Sequence, residues 1–263
     1  MISLNYSKKS STGANMSYIN IGSIEESIYD SYLPLMNETG RLFFPRKKKK
    51  NLKLLTLATK NCHSIITILE KNDLIALPEP NSEIESDVIV WTNNSMSCIR
   101  LQTFLSQCQV KGPQNFESAI CYKNNQTEVF PNHIINLAYY SQDIEFSPNR
   151  IDNEILSIEH ILRRQAGQNF LLIYSTIIDD TELDLEYIKS KSDGLHEMGW
   201  NGLTISDISY IRGDKDSICN SISLLFLKIM KKYHYSTELK KIYYDVENTD
   251  YKLFSFAGFV RKE

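Results

Sequence analysis

The chain has 263 residues, of which 42% are hydrophobic and 23% charged, and its formal net charge is −3. That is enough apolar material to bury the core of one α/β domain, and it excludes wholesale disorder. It also excludes a global field that would draw the chain to nucleic acid or membrane, so any such binding must come from a local patch.

Residues 1–20 are polar, rich in serine and asparagine, and read as a flexible leader without the apolar stretch of a signal peptide. A single domain is expected over 21–263. Ile24 to Leu35 is amphipathic and predicts a short helix that Pro34 brings to an end, and Leu42-Phe43-Phe44 suggests a strand. Then comes Pro45-Arg46-Lys47-Lys48-Lys49-Lys50, followed by Lys53, in a basic loop over 45–53. Five consecutive cations repel one another and must stay solvated. Such a run is often no more than an exposed loop, but it also fits a nuclear import signal or a phosphate-contacting patch.

Leu52 to Ala58 suits a helix or strand, and Ser64 to Leu69 the next strand. Asp73 to Pro80 ends in a proline-broken extended loop, because a residue before proline avoids the helical region. Asp87 to Trp91 is a buried-strand candidate. Within Thr92-Asn93-Asn94-Ser95 a side-chain oxygen can cap the helix over Ile99 to Cys108. That helix should turn Ile99, Leu101, Phe104, Leu105 and Cys108 inward and break at Gly112-Pro113. Phe116 to Tyr122 and Ile134 to Tyr140 read as strands.

Asn153 to Ser175 carries the clearest signal. Ile155, Leu156, Ile158, Ile161 and Leu162 fall at helical spacing, Arg163 and Arg164 suit the negative helix end, and Gly167 supplies the stop. Phe170 to Tyr174 is then a continuous apolar run, the mark of a strand covered on both faces. Beyond it, a helix is expected over Leu183 to Leu195, a turn at Gly199 to Gly202, a strand over Leu203 to Tyr210, and a charged loop from Arg212 to Ser217. Ile218 to Tyr233 is a helix with Ile218, Ile222, Leu225, Phe226, Ile229 and Met230 in one stripe. Leu239 to Val246 and Leu253 to Val260 look like a closing antiparallel pair. Alternating strands and helices predict an α/β fold, a mainly parallel Rossmann-like sheet with helices on both faces and an antiparallel C-terminal strand pair. Its ligands would bind at the carboxyl ends of the strands.

No G-x-G-x-x-G or G-x-x-x-x-G-K-[ST] is present, and every candidate strand lacks the glycine that lets a phosphate or nucleoside approach the backbone. This weighs against an NTPase, a dehydrogenase and an ordinary adenosylmethionine enzyme. The five cysteines, Cys62, Cys98, Cys108, Cys121 and Cys219, are odd in number and show no C-x-x-C. The five histidines show no ligand spacing, so no metal is expected. Cys219 could pair with His133 or His160 as nucleophile and base, but a buried core cysteine explains it more simply. Asp179, Asp180 and Glu182 follow a strand and could bind a ribose or a metal, or simply cap a helix.

Two stretches resemble known families. Leu77-Pro78-Glu79-Pro80, then Val88-Ile89-Val90-Trp91-Thr92-Asn93, then Asn124-Asn125 through Phe130-Pro131 resemble the middle of the adenine-N6 methyltransferase family, without its D-P-P-W motif upstream. Ile134 to Tyr140, Ile155 to Ser175, Leu203 to Ile211 and Leu253 to Val260 resemble the last third of the non-catalytic subunit of tRNA 1-methyladenosine methyltransferase, without its glycine-rich histidine motif. Both families have the class I methyltransferase fold. A fainter likeness of Tyr32 to Pro45 to a PilZ domain lacks the paired arginines.

The resemblance, with the missing glycine loop, implies a degenerate methyltransferase-like subunit that binds no cofactor. It would position RNA within a nuclear RNA-modifying complex through Arg46, Lys47, Lys48, Lys49, Lys50 and Lys53. Asn93, Asn94, Asp179 and Asp180 are the candidates for cofactor contact. The rival expectations are an active adenosylmethionine-dependent RNA methyltransferase with an atypical site, and a protein-binding adaptor using the Ile218–Met230 helix. A protein partner is expected, RNA is a further candidate, and a membrane is not. The nucleus is the expected location, the cytoplasm the alternative.

Overall fold

A computed structural model describes residues 22–59, 63–79, 82–113, 116–121, 129–140, 150–178, 215–245 and 252–263. In chain order these form α1 (Gly22–Phe43), β1 (Leu54–Leu57), α2 (His63–Lys71), β2 (Val88–Trp91), α3 (Ser95–Phe104), β3 (Gln109–Lys111) and α4 (Phe116–Cys121). There follow β4 (Ile134–Tyr139), α5 (Arg150–Arg164), β5 (Phe170–Ile178), α6 (Lys215–Lys232), β6 (Tyr235–Ser236), β7 (Lys240–Asp245) and β8 (Lys252–Lys262).

All eight strands join one sheet in the order β3-β2-β1-β4-β5-β8-β6, and β7 also pairs with β8. The first five are parallel; β8 is antiparallel to β5, from Phe170↔Val260 to Ile178↔Lys252. The 3-2-1-4-5 order is that of a doubly wound Rossmann-like sheet, here continued by the antiparallel C-terminal pair that the sequence predicts. β6 and β7 share the outer side of β8, pairing with its end and its beginning respectively. The link between them crosses β8 at Gly258. A Cβ there would lie 2.4 Å from Thr237 Oγ1 and 2.8 Å from the Glu238 carbonyl oxygen, so only glycine fits.

Alternation along each strand supplies a core on each face. On one side Leu55, Leu57, Ile135, Leu137, Leu172 and Tyr174 meet α4, α5 and α6. On the other, Leu54, Val88, Val90, Ile134, Leu171 and Ile173 meet α1 and α2. The buried stripe of α6 is Ile222, Phe226, Ile229 and Met230, so this face is engaged by the sheet and is not the adaptor surface expected from the sequence. α5 ends as expected, with Gly167 at φ +80°.

Several short expectations fail. α1 runs through Pro34 to Phe43, because Pro34 and Asp30, whose carbonyl the proline leaves unbonded, both face solvent. Leu42 and Phe43 therefore belong to a helix, not a strand. Ser64 to Leu69 is also helical, with Ile65, Ile66 and Leu69 buried on one side, and Phe116 to Cys121 is helix α4. α3 turns Cys98 inward and leaves Ile99 and Phe104 62% and 82% exposed. It stops at Phe104, and β3 intervenes before Gly112-Pro113. Lys215 to Ser217 open α6 rather than extending a loop. The leader, the helix over 183–195, the turn at 199–202 and the strand over 203–210 lie outside the described residues, as do Asp179, Asp180, Glu182 and Arg212.

Asn94 is the N-cap of α3: its Oδ1 accepts the Met96 and Ser97 N–H groups at 2.8 and 3.0 Å. Asn94→Ala is expected to cost about 1 kcal/mol, read as a lower urea midpoint at unchanged m. Asn94→Asp should keep nearly all of that stability.

Candidate functional site

At the carboxyl ends of β1 and β4 the chain gathers a buried polar cluster. α1 runs so that its N-terminal turns lie over these strand ends, which puts Glu25 and Tyr29 there. Glu25 Oε1 accepts from Tyr29 Oη at 3.1 Å and from Thr59 Oγ1, just past β1, at 2.9 Å. Tyr29 Oη lies 3.4 Å from Tyr140 Oη at the end of β4. Asn136 Nδ2 donates to both Tyr29 Oη and Thr56 Oγ1 at 2.9 Å, while its Oδ1 has no partner. Since Tyr29 gives its proton to Glu25, Tyr140 must be the donor between the two tyrosines.

Every member is buried; Glu25 is 1% exposed. Burial pushes the Glu25 carboxyl up to about 7, against the opposing pull of the Thr59 and Tyr29 hydroxyls. Burial also holds both tyrosines well above their ordinary range. The cluster can therefore carry a proton near neutrality, but it is closed to solvent. Its evident work is to tie α1 to β1 and β4.

On the opposite face Glu154 of α5, also 1% exposed, accepts from Tyr174 Oη, and from Thr176 Oγ1 at 3.3 Å. Ser157 Oγ donates to the Glu154 carbonyl and accepts from Tyr139 Oη at 2.6 Å. A buried glutamate thus stands on each side of the sheet near the same strand ends.

Residues Ala58 to Cys62 after β1 and Thr92 to Ser95 after β2 include no glycine. Thr59 is turned to Glu25, and Asn94 holds its own helix. Among the described residues there, Ala58, Thr59 and Thr92 to Ser95, no glycine offers the close backbone approach that an adenosine cofactor uses. Asn93 is exposed in the turn between β2 and α3.

At the other edge, Arg46 to Lys49 are exposed in the loop that leads from α1 to β1. Two of the predicted phosphate contacts have duties inside the protein. Lys50 Nζ donates to the Phe44 carbonyl at 2.7 Å and to that of Lys47, and Lys53 Nζ lies 3.5 Å from Asp87 Oδ1. His133 Nδ1 accepts the Lys53 N–H at 2.8 Å. Burial, helped by the Lys53 charge and opposed by Asp87, lowers its pKa. His133 precedes β4 at the amino edge and His160 lies near the C-terminal end of α5. Cys219 is near the start of α6, and its side chain lies outside the described ones. Among the described residues no group of three His, Cys, Asp or Glu converges on a metal position, and no helix is long and apolar enough to cross a membrane.

No protein-family model and no curated protein matches the chain. Solved structures overlap it. A chain assigned as a sarcosine dimethylglycine methyltransferase from Galdieria sulphuraria is 10% identical, with 91% of this chain and 86% of that one covered, at a TM-score of 0.46. The methyltransferase domain of a bacterial Hen1 is 8% identical, with 89% and 97% covered, at 0.43. TYW2 of P. horikoshii is 11% identical, with 85% and 62% covered, at 0.37. The fold is Rossmann-like. The strand order carries that assignment, and the overlaps add nothing about activity.

Glu25, Tyr29, Thr59, Asn136 and Tyr140 escape the sequence reading. Their signal was a glutamate on the apolar stripe of α1 and an asparagine inside the apolar run of β4.

Proposed function

We propose that this chain is a non-catalytic, methyltransferase-like subunit that positions RNA in a nuclear RNA-modifying complex. The observation that carries the reading is at the end of β1. There, Thr59 is bonded to the buried Glu25 of α1, so that α1 packs against the end of the strand after which a nucleoside would approach in such a sheet. The exposed run Arg46 to Lys49 supports the RNA part, as sequence-independent phosphate contacts.

Calorimetric titration with S-adenosylmethionine is expected to give no binding heat. Saturable micromolar binding would replace this reading with an active methyltransferase. Replacing Arg46, Lys47, Lys48 and Lys49 together by alanine, leaving Lys50 and Lys53 in their structural roles, should weaken single-stranded RNA binding. The slope of log K against log salt should become shallower by up to about 3, at roughly 0.7 per lost phosphate contact. Equal binding by wild type and variant would remove the loop from the reading. The same variant, as a fluorescent fusion, is expected to lose nuclear accumulation.

A second reading has one observation in its favour. α3 leaves Met96, Ile99 and Phe104 60%, 62% and 82% exposed on a helix beside the outermost strand, β3. A protein adaptor would use such a face, and co-purification that survives nuclease would favour it.

A further inference from the structure

The parallel topology collects cations that the sequence scatters. Helices α1, α5 and α6 all run from the carboxyl to the amino edge of the sheet, so their last turns meet there, beside the end of antiparallel β8. Arg163 and Arg164 close α5, Lys231 and Lys232 close α6, and Arg261 and Lys262 end β8. The loop carrying Arg46 to Lys49 opens onto the same edge, between α1 and β1. The whole chain is net negative, so this is a local concentration of positive charge. The helix macrodipole accounts for the α5 and α6 cations one helix at a time. It does not account for Arg261, Lys262 or the loop.

Rings alternate with these cations. Lys47 sits over the Phe44 ring at 5.2 Å, and Phe44 and Phe43 both meet His133, at 5.7 and 4.3 Å between centroids. Phe43 lies 6.4 Å from Phe259, over which Arg261 stands at 5.6 Å. Lys262 covers Tyr235 at 4.6 Å and donates to the Tyr233 carbonyl at 2.7 Å. The Tyr233 ring in turn carries Arg163 at 5.4 Å and Lys232 at 5.5 Å. Phe43, Phe44, Phe259 and Tyr233 are half-buried, so each keeps part of its surface at the edge. Glu159 orders the far end, 2.9 Å from Arg163 Nη2 and 3.0 Å from Lys232 Nζ. Besides Glu159, the edge carries Asp87, paired with Lys53, the exposed Asp73, whose carbonyl accepts the Lys50 N–H at 2.7 Å, and Glu263.

We propose that this edge is a continuous binding track for single-stranded RNA, running from the Arg46–Lys49 loop across the end of β8 to the last turns of α5 and α6. Interleaved cations and rings are what a single strand requires: phosphates take the charges, and bases stack on guanidinium planes and on the parts of the half-buried rings that the cations leave open. A duplex hides its bases, and an anionic lipid surface would call for insertable apolar side chains rather than half-buried rings among lysines. The track deepens the RNA reading above and rests on it, and it assigns contacts far from the lysine run.

The test is fluorescence anisotropy with labelled single-stranded oligouridine over a salt series. It compares wild type, the alanine-substituted loop, and a distal variant carrying Lys231→Gln and Arg261→Gln, two exposed positions outside the Glu159 network. The distal variant should melt like wild type, bind more weakly, and show a salt slope shallower by about 1.4, at roughly 0.7 per lost contact. The charge-conserving pair Lys231→Arg and Arg261→Lys should bind as wild type does. If the loop variant loses affinity while the distal variant matches wild type, the track is wrong and the RNA reading stands. If wild type binds no RNA, both fall. Equal affinity for duplex RNA, or tighter binding to phosphatidylserine vesicles, also overturns the track.

Discussion

Phe256→Ala is expected to cost about 3–5 kcal/mol, the range for truncating a fully buried aromatic. Phe256 is 0% exposed on β8. Its ring stacks on Tyr174 of β5 at 4.9 Å and stands edge-on to Phe226 of α6 at 4.5 Å. Three elements thus meet in one aromatic cluster, and each close ring pair adds about 0.5–1.5 kcal/mol beyond buried area. The cavity could not collapse easily, because β5 and β8 are locked in register along the whole length of β5. The half-buried Phe259, facing the other side of the same strand, should cost much less when truncated. Urea unfolding at unchanged m separates the two. Equal losses would mean that α6 does not pack on the C-terminal strand pair as described, and with it would go the three-layer arrangement.

How far the sequence announces this fold depends on element length. The α5–β5 unit, α6 and the β7–β8 pair are long, periodic and clearly stopped, and they stand as read, except that α6 opens three residues earlier, at Lys215. Ser64–Leu69 and Phe116–Cys121 are mixed segments of six residues, too short for periodicity to separate helix from strand. β3 has three partly buried residues, two of them polar, and no local signal marks it. Pro34 misleads because its cost depends on which way it faces, and only the assembled sheet fixes that. The candidate site is less legible still. Glu25 meets Thr59, 34 residues on, and Tyr29 meets Tyr140, 111 residues on, so the cluster exists only once β1 and β4 are neighbours. The basic edge shows the same limit. The lysine run is plain in the sequence, but its continuation through Arg261 and Lys231 is a product of strand order.

The Glu25 cluster should also make stability fall as pH rises. The folded carboxyl holds its proton up to about 7, against an ordinary value of 4.5. Below 4.5 both folded and unfolded chains are protonated here, and the group contributes no penalty. Between 4.5 and about 7 the unfolded chain has given up the proton and the folded chain keeps it, so each rising pH unit favours unfolding. Above that range the penalty is complete, at most about 3.5 kcal/mol for a shift of this size at ~1.4 kcal/mol per unit. Glu25→Gln removes the charge and keeps an oxygen where Oε1 takes both hydroxyl bonds. It is therefore expected to be the more stable protein near about pH 8 and close to wild type near about pH 4. Glu25→Ala should be destabilised at every pH, because Thr59 and Tyr29 would lose their buried acceptor, at about 1–3 kcal/mol for each unpaired group. Urea midpoints across this pH range decide the matter. A glutamine variant that keeps the wild-type pH slope would mean that Glu25 is an ordinary ionised carboxylate and that the end of β1 is open to water.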